Sequence, residues 1–294
     1  MPVNNNLLHQ IFARQKLRIQ SITAVAEGDI NTCFKVSTTN ASYFIKLNDA
    51  SNYPGMLQRE AEGLITLQQR SSLVVPTTVA CDVIENQQYL VLTYLNKGAI
   101  GIDFFTNFGE GLAIMHKNTN TAFGWHTSNY IGLLQQPNTW HQNWCTFYST
   151  QRIMPLVNQL HQQKNYNTAD VINAKKVCAK LGEIFPAEVP AMLHGDLWSG
   201  NYMPVQLNSE SAATSAAIYD PAVYYGNREM DIGMSKLFGG FDSLFYKAYH
   251  HHYPLQPQWQ QRLPLTQWYP LLVHALLFGG YYIKQSRATI KAFL

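Results

Sequence analysis

Charge is what this sequence has least of. Only 13% of its 294 residues are Asp, Glu, Lys or Arg, about half the roughly 25% of an ordinary soluble domain. Its 21 basic residues are scattered and the net charge is +3. Without a basic stripe the chain does not read as a nucleic-acid binder. Long hydrophobic runs are missing as well. The most apolar late segment, residues 271–283, is interrupted by His274 and is too short to span a bilayer, so no membrane partner is expected. The opening MPVNNNLLHQ lacks the charged-then-apolar order of a signal peptide. Four cysteines (Cys33, Cys81, Cys145 and Cys178) stand in neither CxxC nor CxxH spacing. Free thiols in a reducing cytoplasm are the simplest reading. What the chain does have is 46% apolar residues, enough to build a sizeable core without disulfides or metals.

The first part of the chain reads as strands around one helix. Residues 18–25, 30–37 and 42–47 are rich in β-branched and aromatic side chains, and 38–41 form a turn between the last two. Residues 55–70 carry Leu57, Ala61, Leu64 and Leu67 at near-helical spacing. A second strand pair, 79–84 and 89–94, leads to a hinge at 96–98. Beyond it the pattern turns helical: 103–116 capped by Asp103, then 146–162, 170–185, 229–250 and 268–288. Residues 1–96 therefore form a small β-rich lobe and 97–294 a larger α-rich lobe.

The chemistry concentrates in Leu193-His194-Gly195-Asp196-Leu197-Trp198-Ser199-Gly200-Asn201. An Asp and an Asn five residues apart on a Gly- and Ser-rich loop suit a kinase-type catalytic loop. Asp196 would take the proton of the attacking hydroxyl and Asn201 would hold a magnesium ion. Nineteen residues on, the apolar run Ile218-Tyr219 ends at Asp220, a second oxygen ligand for Mg²⁺. Such a site needs a lysine upstream, on a strand, and a glutamate on the next helix. Lys46 in Phe44-Ile45-Lys46-Leu47 and Glu60 supply them. Glu62 competes, but it lies about 200° further round the helix. Gly28 and Asn31, in Ala26-Glu27-Gly28-Asp29-Ile30-Asn31, are the candidates for a phosphate loop with a single glycine. Thr93, Tyr94 and Leu95 before the hinge are the candidates for the rest of an ATP site.

With those residues the chain resembles the fructosamine/ketosamine 3-kinase family. The string His194-Gly-Asp-Leu-Trp-Ser-Gly-Asn201 carries the resemblance, with Asp220-Pro-Ala, Tyr225-Gly226, Arg228-Glu229 and Asp231, and Leu237-Phe-Gly-Gly-Phe241. Further similar stretches are Phe123-Gly-Trp, Gln136-Pro-Asn, Trp140 to Trp144, Phe147 and Gln151-Arg152. The resemblance implies an α+β, bilobal, protein-kinase-like (aminoglycoside phosphotransferase-like) fold. It also implies Mg²⁺- and ATP-dependent phosphorylation of the sugar 3-hydroxyl of small-molecule or protein-bound ketoamines, followed by release of the amine. Trp198, Trp125, Trp140 and His116 are candidates for the acceptor pocket. Asp231 is either a pocket residue or a buried orderer of the catalytic loop. The catalytic loop alone also fits other small-molecule kinases, of aminoglycosides, choline or sugars, and a catalytically silent nucleotide-binding module would share the fold. A monomer or weak homodimer is expected. His250-His251-His252 read as a solvated helix end, because consecutive helical residues point in different directions.

Overall fold

The computed structural model describes residues 5–25, 30–206 and 214–294. Helix α1 (Asn5–Arg14) precedes strands β1 (Ile19–Val25), β2 (Thr32–Thr38) and β3 (Ser42–Asp49). Helix α2 (Met56–Arg70), then β4 (Thr78–Ile84) and β5 (Gln87–Thr93), complete an antiparallel sheet of order β1-β2-β3-β5-β4. Period-two alternation gives the sheet two faces. Ile45, Leu47, Tyr89 and Val91 pack on α1 through Leu8, Ile11 and Phe12. Leu90 and Leu92 face α2 through Leu57, Ala61 and Leu64, in a core that continues beneath the sheet. Lys46, one residue from Ile45 and Leu47, is thereby turned to the α2 side.

The helical region follows in the order α3 (Phe104–His116), β6 (Asn129–Ile131), β7 (Leu134–Gln136), α4 (Trp144–Phe147), α5 (Met154–Gln162), α6 (Thr168–Ile184) and β8 (Ala191–Leu193). Next come β9 (Tyr202–Gln206), β10 (Thr214–Ile218), β11 (Tyr224–Gly226), α7 (Glu229–Leu237), α8 (Ser243–His252), α9 (Trp259–Thr266), α10 (Trp268–Phe278) and α11 (Gly280–Ala292). Strand β8 pairs with β11, and β9 with β10. These short ribbons hold the catalytic loop on one side and Asp220 on the other. Among the described residues no helix is long and apolar enough to cross a membrane.

Several sequence expectations are corrected. Helix α1 is an addition to the expected elements; its Leu8, Ile11 and Phe12 carry helical spacing and are buried. The expected helix over 229–250 is two, because Gly239 and Gly240 both take positive φ (91° and 77°) between α7 and α8. The expected helix over 268–288 likewise breaks at Gly279–Gly280. Helix α9 is a further addition, with Pro264 inside it. Asp103 occupies the N-cap of α3, but its side chain makes no capping bond. The helix over 146–162 starts earlier and contains a π-helical turn, Tyr148–Ile153. Pro155 has no N–H to offer the Gln151 carbonyl, and Arg152 Nη1 donates to that oxygen instead, at 3.2 Å. The three histidines lie in the last turn of α8.

Candidate active site

Lys46 anchors the site. It sits on β3, the central strand, and is only 4% exposed. Its Nζ lies 2.9 Å from Glu60 Oε1 on α2 and 2.5 Å from Asp220 Oδ1 beyond β10. Burial disfavours the ammonium, but the two carboxylates outweigh it and hold the lysine charged well above its ordinary range. Burial pushes Glu60 up, Lys46 pulls it back, and Asp220 raises it again. Glu62, the competitor, is instead held by Arg59 Nη1 at 2.8 and 2.7 Å.

The catalytic loop is fixed from beneath. The Asp231 carboxylate, on α7 and 1% exposed, accepts the backbone N–H of His194 at 2.7 Å and of Gly195 at 3.0 Å. His194 bonds through Nε2 to the Tyr219 carbonyl at 3.0 Å, and its Nδ1 accepts the Asp196 N–H at 3.3 Å. It is thus the neutral Nε2–H tautomer, and burial lowers its pKa accordingly. The His ring ties the catalytic loop to the residue before Asp220. Gly195 has φ +83°, and a Cβ there would stand 2.1 Å from the Ala222 carbonyl oxygen. Glycine is required at that position.

Asp196 accepts Asn201 Nδ2 on Oδ2 at 3.0 Å, and the same nitrogen donates to the Asp196 carbonyl at 2.9 Å. With its nitrogen so committed, Asn201 has its amide oxygen left for a cation. Asp220 takes a left-handed backbone, φ 56°. Its Oδ1 is on Lys46, and its side chain is 43% exposed to the cleft. Asn201 and Asp220 thus offer the hard oxygen donors that Mg²⁺ prefers. Among the described residues no cluster of three or more His, Cys, Asp or Glu could hold a metal alone. Phosphate oxygens would have to complete the coordination. Burial raises Asp196 to about 7; the Asn201 bond opposes this, while Asp220 and Asp231 add to it.

Three cavities converge here. One of about 210 Å³ is lined by Val25, Phe44, Pro76, Leu92, Met203 and the expected Thr93, Tyr94 and Leu95. A second, about 380 Å³, holds Asn31, Lys46, Arg59, Glu60, Asp196, Asn201 and Asp220. The third, about 430 Å³, opens on Asp196 and is walled by Trp198, Tyr224, Met230, Met234, Tyr269 and His274, among others. The Trp198 ring lies over Gly200, where a Cβ would meet it at 2.4 Å, and edge-on to Phe238 at 5.8 Å.

The structure brings together Asp196, Asn201, Asp220, Lys46, Glu60, Asn31, Trp198 and Asp231. Gly28 lies outside the described residues. His116 is corrected: it is fully buried behind Asp231, not in the cleft. Trp125 packs on Tyr225 at 5.6 Å between the two large cores and lines none of the three cavities. Trp140 is 42% exposed beside Tyr225, also outside them. Sequence reasoning missed Phe44, Met203 and the α7 and α10 residues of the third cavity. Met203 carried a signal, two positions after Asn201 on a short strand. Met230, Met234 and His274 carried none, since they meet only through tertiary packing.

Comparison with known proteins places the chain in a family. The family model described as "Fructosamine kinase" matches residues 3–294. A probable ketoamine kinase of Synechocystis is 36% identical, covering 99% of this chain and 98% of its own. The crystal structure of a putative fructosamine-3-kinase from Thermobifida fusca superposes with TM-score 0.87 at 29% identity, covering 98% of each chain. An aminoglycoside phosphotransferase solved with AMP-PNP and hygromycin B shares the fold alone, with TM-score 0.65 at 13% identity over 98% of this chain and 99% of its own. The chain belongs to the fructosamine kinase family: it is an ATP-using phosphotransferase with a hydroxyl acceptor, built on the kinase-like fold.

Proposed function

We propose that this enzyme transfers the γ-phosphoryl group of ATP to the sugar 3-hydroxyl of a ketoamine, with Asp196 as the base. One observation carries the reading: Lys46, Asp220, Asn201 and Asp196 stand at the junction of three cavities suited to base, phosphates and acceptor. In this reading the 210 Å³ cavity takes the adenine, between Phe44, Leu92 and Met203. Lys46, oriented by Glu60, neutralises the α- and β-phosphates. Asn201 and Asp220 would hold Mg²⁺, which supplies charge neutralisation on the phosphate oxygens when bound. Asp196, raised to about 7, is poised near neutral pH to accept the acceptor's proton.

The 430 Å³ cavity takes the ketoamine, with Trp198 against the sugar or the cationic amine. Its size suits one sugar adduct, and its apolar α7 and α10 wall suits the carbon chain of the amine. The 3-phosphate product is unstable and releases the free amine, so the reading extends to deglycation of amines in the cytoplasm. We also infer that the chain divides into a nucleotide lobe, 1–96, and an acceptor lobe, 97–294. The test is ADP release with Mg-ATP over ribulosyl-, erythrulosyl- and fructosyl-lysine, an aminoglycoside, choline and ribulose. Turnover on a ketoamine supports the reading; turnover confined to the other three overturns the acceptor.

A further inference from the structure

Behind the catalytic loop lies a chain of buried polar groups that reaches the third cavity only at Asp231. His116, at the end of α3, is fully buried, with Nε2 at 3.1 Å from Asp231 Oδ2 and Nδ1 at 2.8 Å from the Tyr249 hydroxyl. Arg228 Nη1 reaches that hydroxyl at 3.5 Å. Arg228 is itself clamped: Glu188 accepts from Nε and Nη2, and the carbonyls of Tyr253 and Pro254 take the remaining hydrogens. The Tyr253 ring covers the guanidinium at 3.7 Å.

The directions of these bonds follow from which atoms can donate. A guanidinium only donates, so the Tyr249 oxygen accepts from it. The hydroxyl hydrogen is then free to point at His116 Nδ1, which accepts it in the neutral ring. That leaves the imidazole proton on Nε2, aimed at Asp231. Asp231 thus collects three N–H donors on two oxygens: His194 N, Gly195 N and His116 Nε2.

We propose that His116 is a positioning residue for phosphoryl transfer. Held in its neutral Nε2–H tautomer by Tyr249 and Arg228, it fixes the Asp231 carboxylate that orients the loop carrying Asp196. This rests on the catalytic role proposed for Asp196. The relay runs from Glu188 through Arg228, Tyr249 and His116 to Asp231, and His116 itself lines none of the three cavities. Its loss is therefore expected in kcat and not in KM, since misplacing a base by about 1 Å costs about 10²-fold.

Two measurements test it. In ¹⁵N-histidine-labelled enzyme, with the His116 signal assigned by its loss in His116→Gln, the ring is expected as one neutral Nε2–H tautomer at pH 7.5. An imidazolium or an Nδ1–H ring overturns the relay. In kinetics on the ketoamine turned over by the wild type, His116→Leu is expected to lose about 10²-fold in kcat. Tyr249→Phe, which keeps the packing and removes only the bond to Nδ1, is expected to lose about 10-fold, the equivalent of about one hydrogen bond. Both should keep the KM for ATP and for the acceptor. His116→Gln, which retains an N–H donor, should recover most of the loss. A Gln variant as slow as Leu, or a change in KM with kcat unaltered, refutes the positioning role. If His116→Leu does not fold, Tyr249→Phe and the tautomer decide. A wild type silent on every ketoamine would sink the acceptor assignment and leave the tautomer to judge the relay.

Discussion

Asp196→Asn should make the enzyme nearly inactive and more stable at the same time. The side chain keeps its shape, and the Asn oxygen can still accept from Asn201 Nδ2. Turnover should fall by about 10²–10⁴ with the base removed. The stability gain follows from the raised carboxyl. Moving Asp196 from its ordinary 3.8 to about 7 destabilises the folded, charged state by at most about 4 kcal/mol above pH 7. The cleft admits water, which screens part of this, so about 1–2 kcal/mol is expected. In a chain of this size that is a rise of roughly 2–6 °C in Tm. The sign can be checked with pH. A folded pKa above the unfolded one makes the wild type lose stability as pH rises from about 4 to about 7. The gap between variant and wild type should therefore be full at pH 8, smaller at pH 5 and gone by about pH 3. Differential scanning fluorimetry without nucleotide reads it directly. A variant less stable than wild type at pH 8, or a gap independent of pH, would refute the electrostatic reasoning.

Other outcomes follow from the same geometry. Lys46→Met strands Glu60 and Asp220 without their cation; a loss of about 3–5 kcal/mol in denaturant unfolding is expected, and Lys46→Met with Glu60→Gln should recover part of it. Gly195→Ala forces a Cβ against the Ala222 carbonyl in a left-handed backbone; a loss above about 2 kcal/mol with collapsed kcat should appear in chemical denaturation and in the ADP assay. The rate with limiting acceptor should fall about tenfold per pH unit below about 7, as Asp196 takes up its proton; Asp220→Asn should weaken the Mg²⁺ dependence of that rate without abolishing nucleotide binding by fluorescence titration.

The fold and site were legible to different depths. Strands β1 to β5 and helix α2 show in the sequence because the strands are β-branched and aromatic runs bounded by turn residues, and the helix carries Leu57, Ala61, Leu64 and Leu67 at its own spacing. Lys46 can be paired with Glu60 because an isolated lysine in an apolar strand demands a partner, whereas its contact with Asp220, 174 positions away, is beyond the reach of local pattern. Helix ends failed where glycine intervened: an apolar run passes smoothly through Gly239–Gly240 and Gly279–Gly280, and only the positive φ values reveal the breaks. His116 suits a pocket on sequence grounds because its ring can hydrogen-bond a sugar hydroxyl. Its partners, Asp231 and Tyr249, lie 115 and 133 positions away, beyond the reach of local pattern. The acceptor cavity was illegible for the same reason: its walls come from β6, β11, α7 and α10, and no spacing records their meeting.

The most direct test is where the phosphate goes. The enzyme should be run to completion with Mg-ATP on ribulosyl- and fructosyl-lysine and the product analysed by ³¹P–¹H correlation. The account predicts one phosphate on the sugar O3, with decay to free lysine. Phosphate on another hydroxyl, or transfer only to acceptors that are not ketoamines, would contradict it.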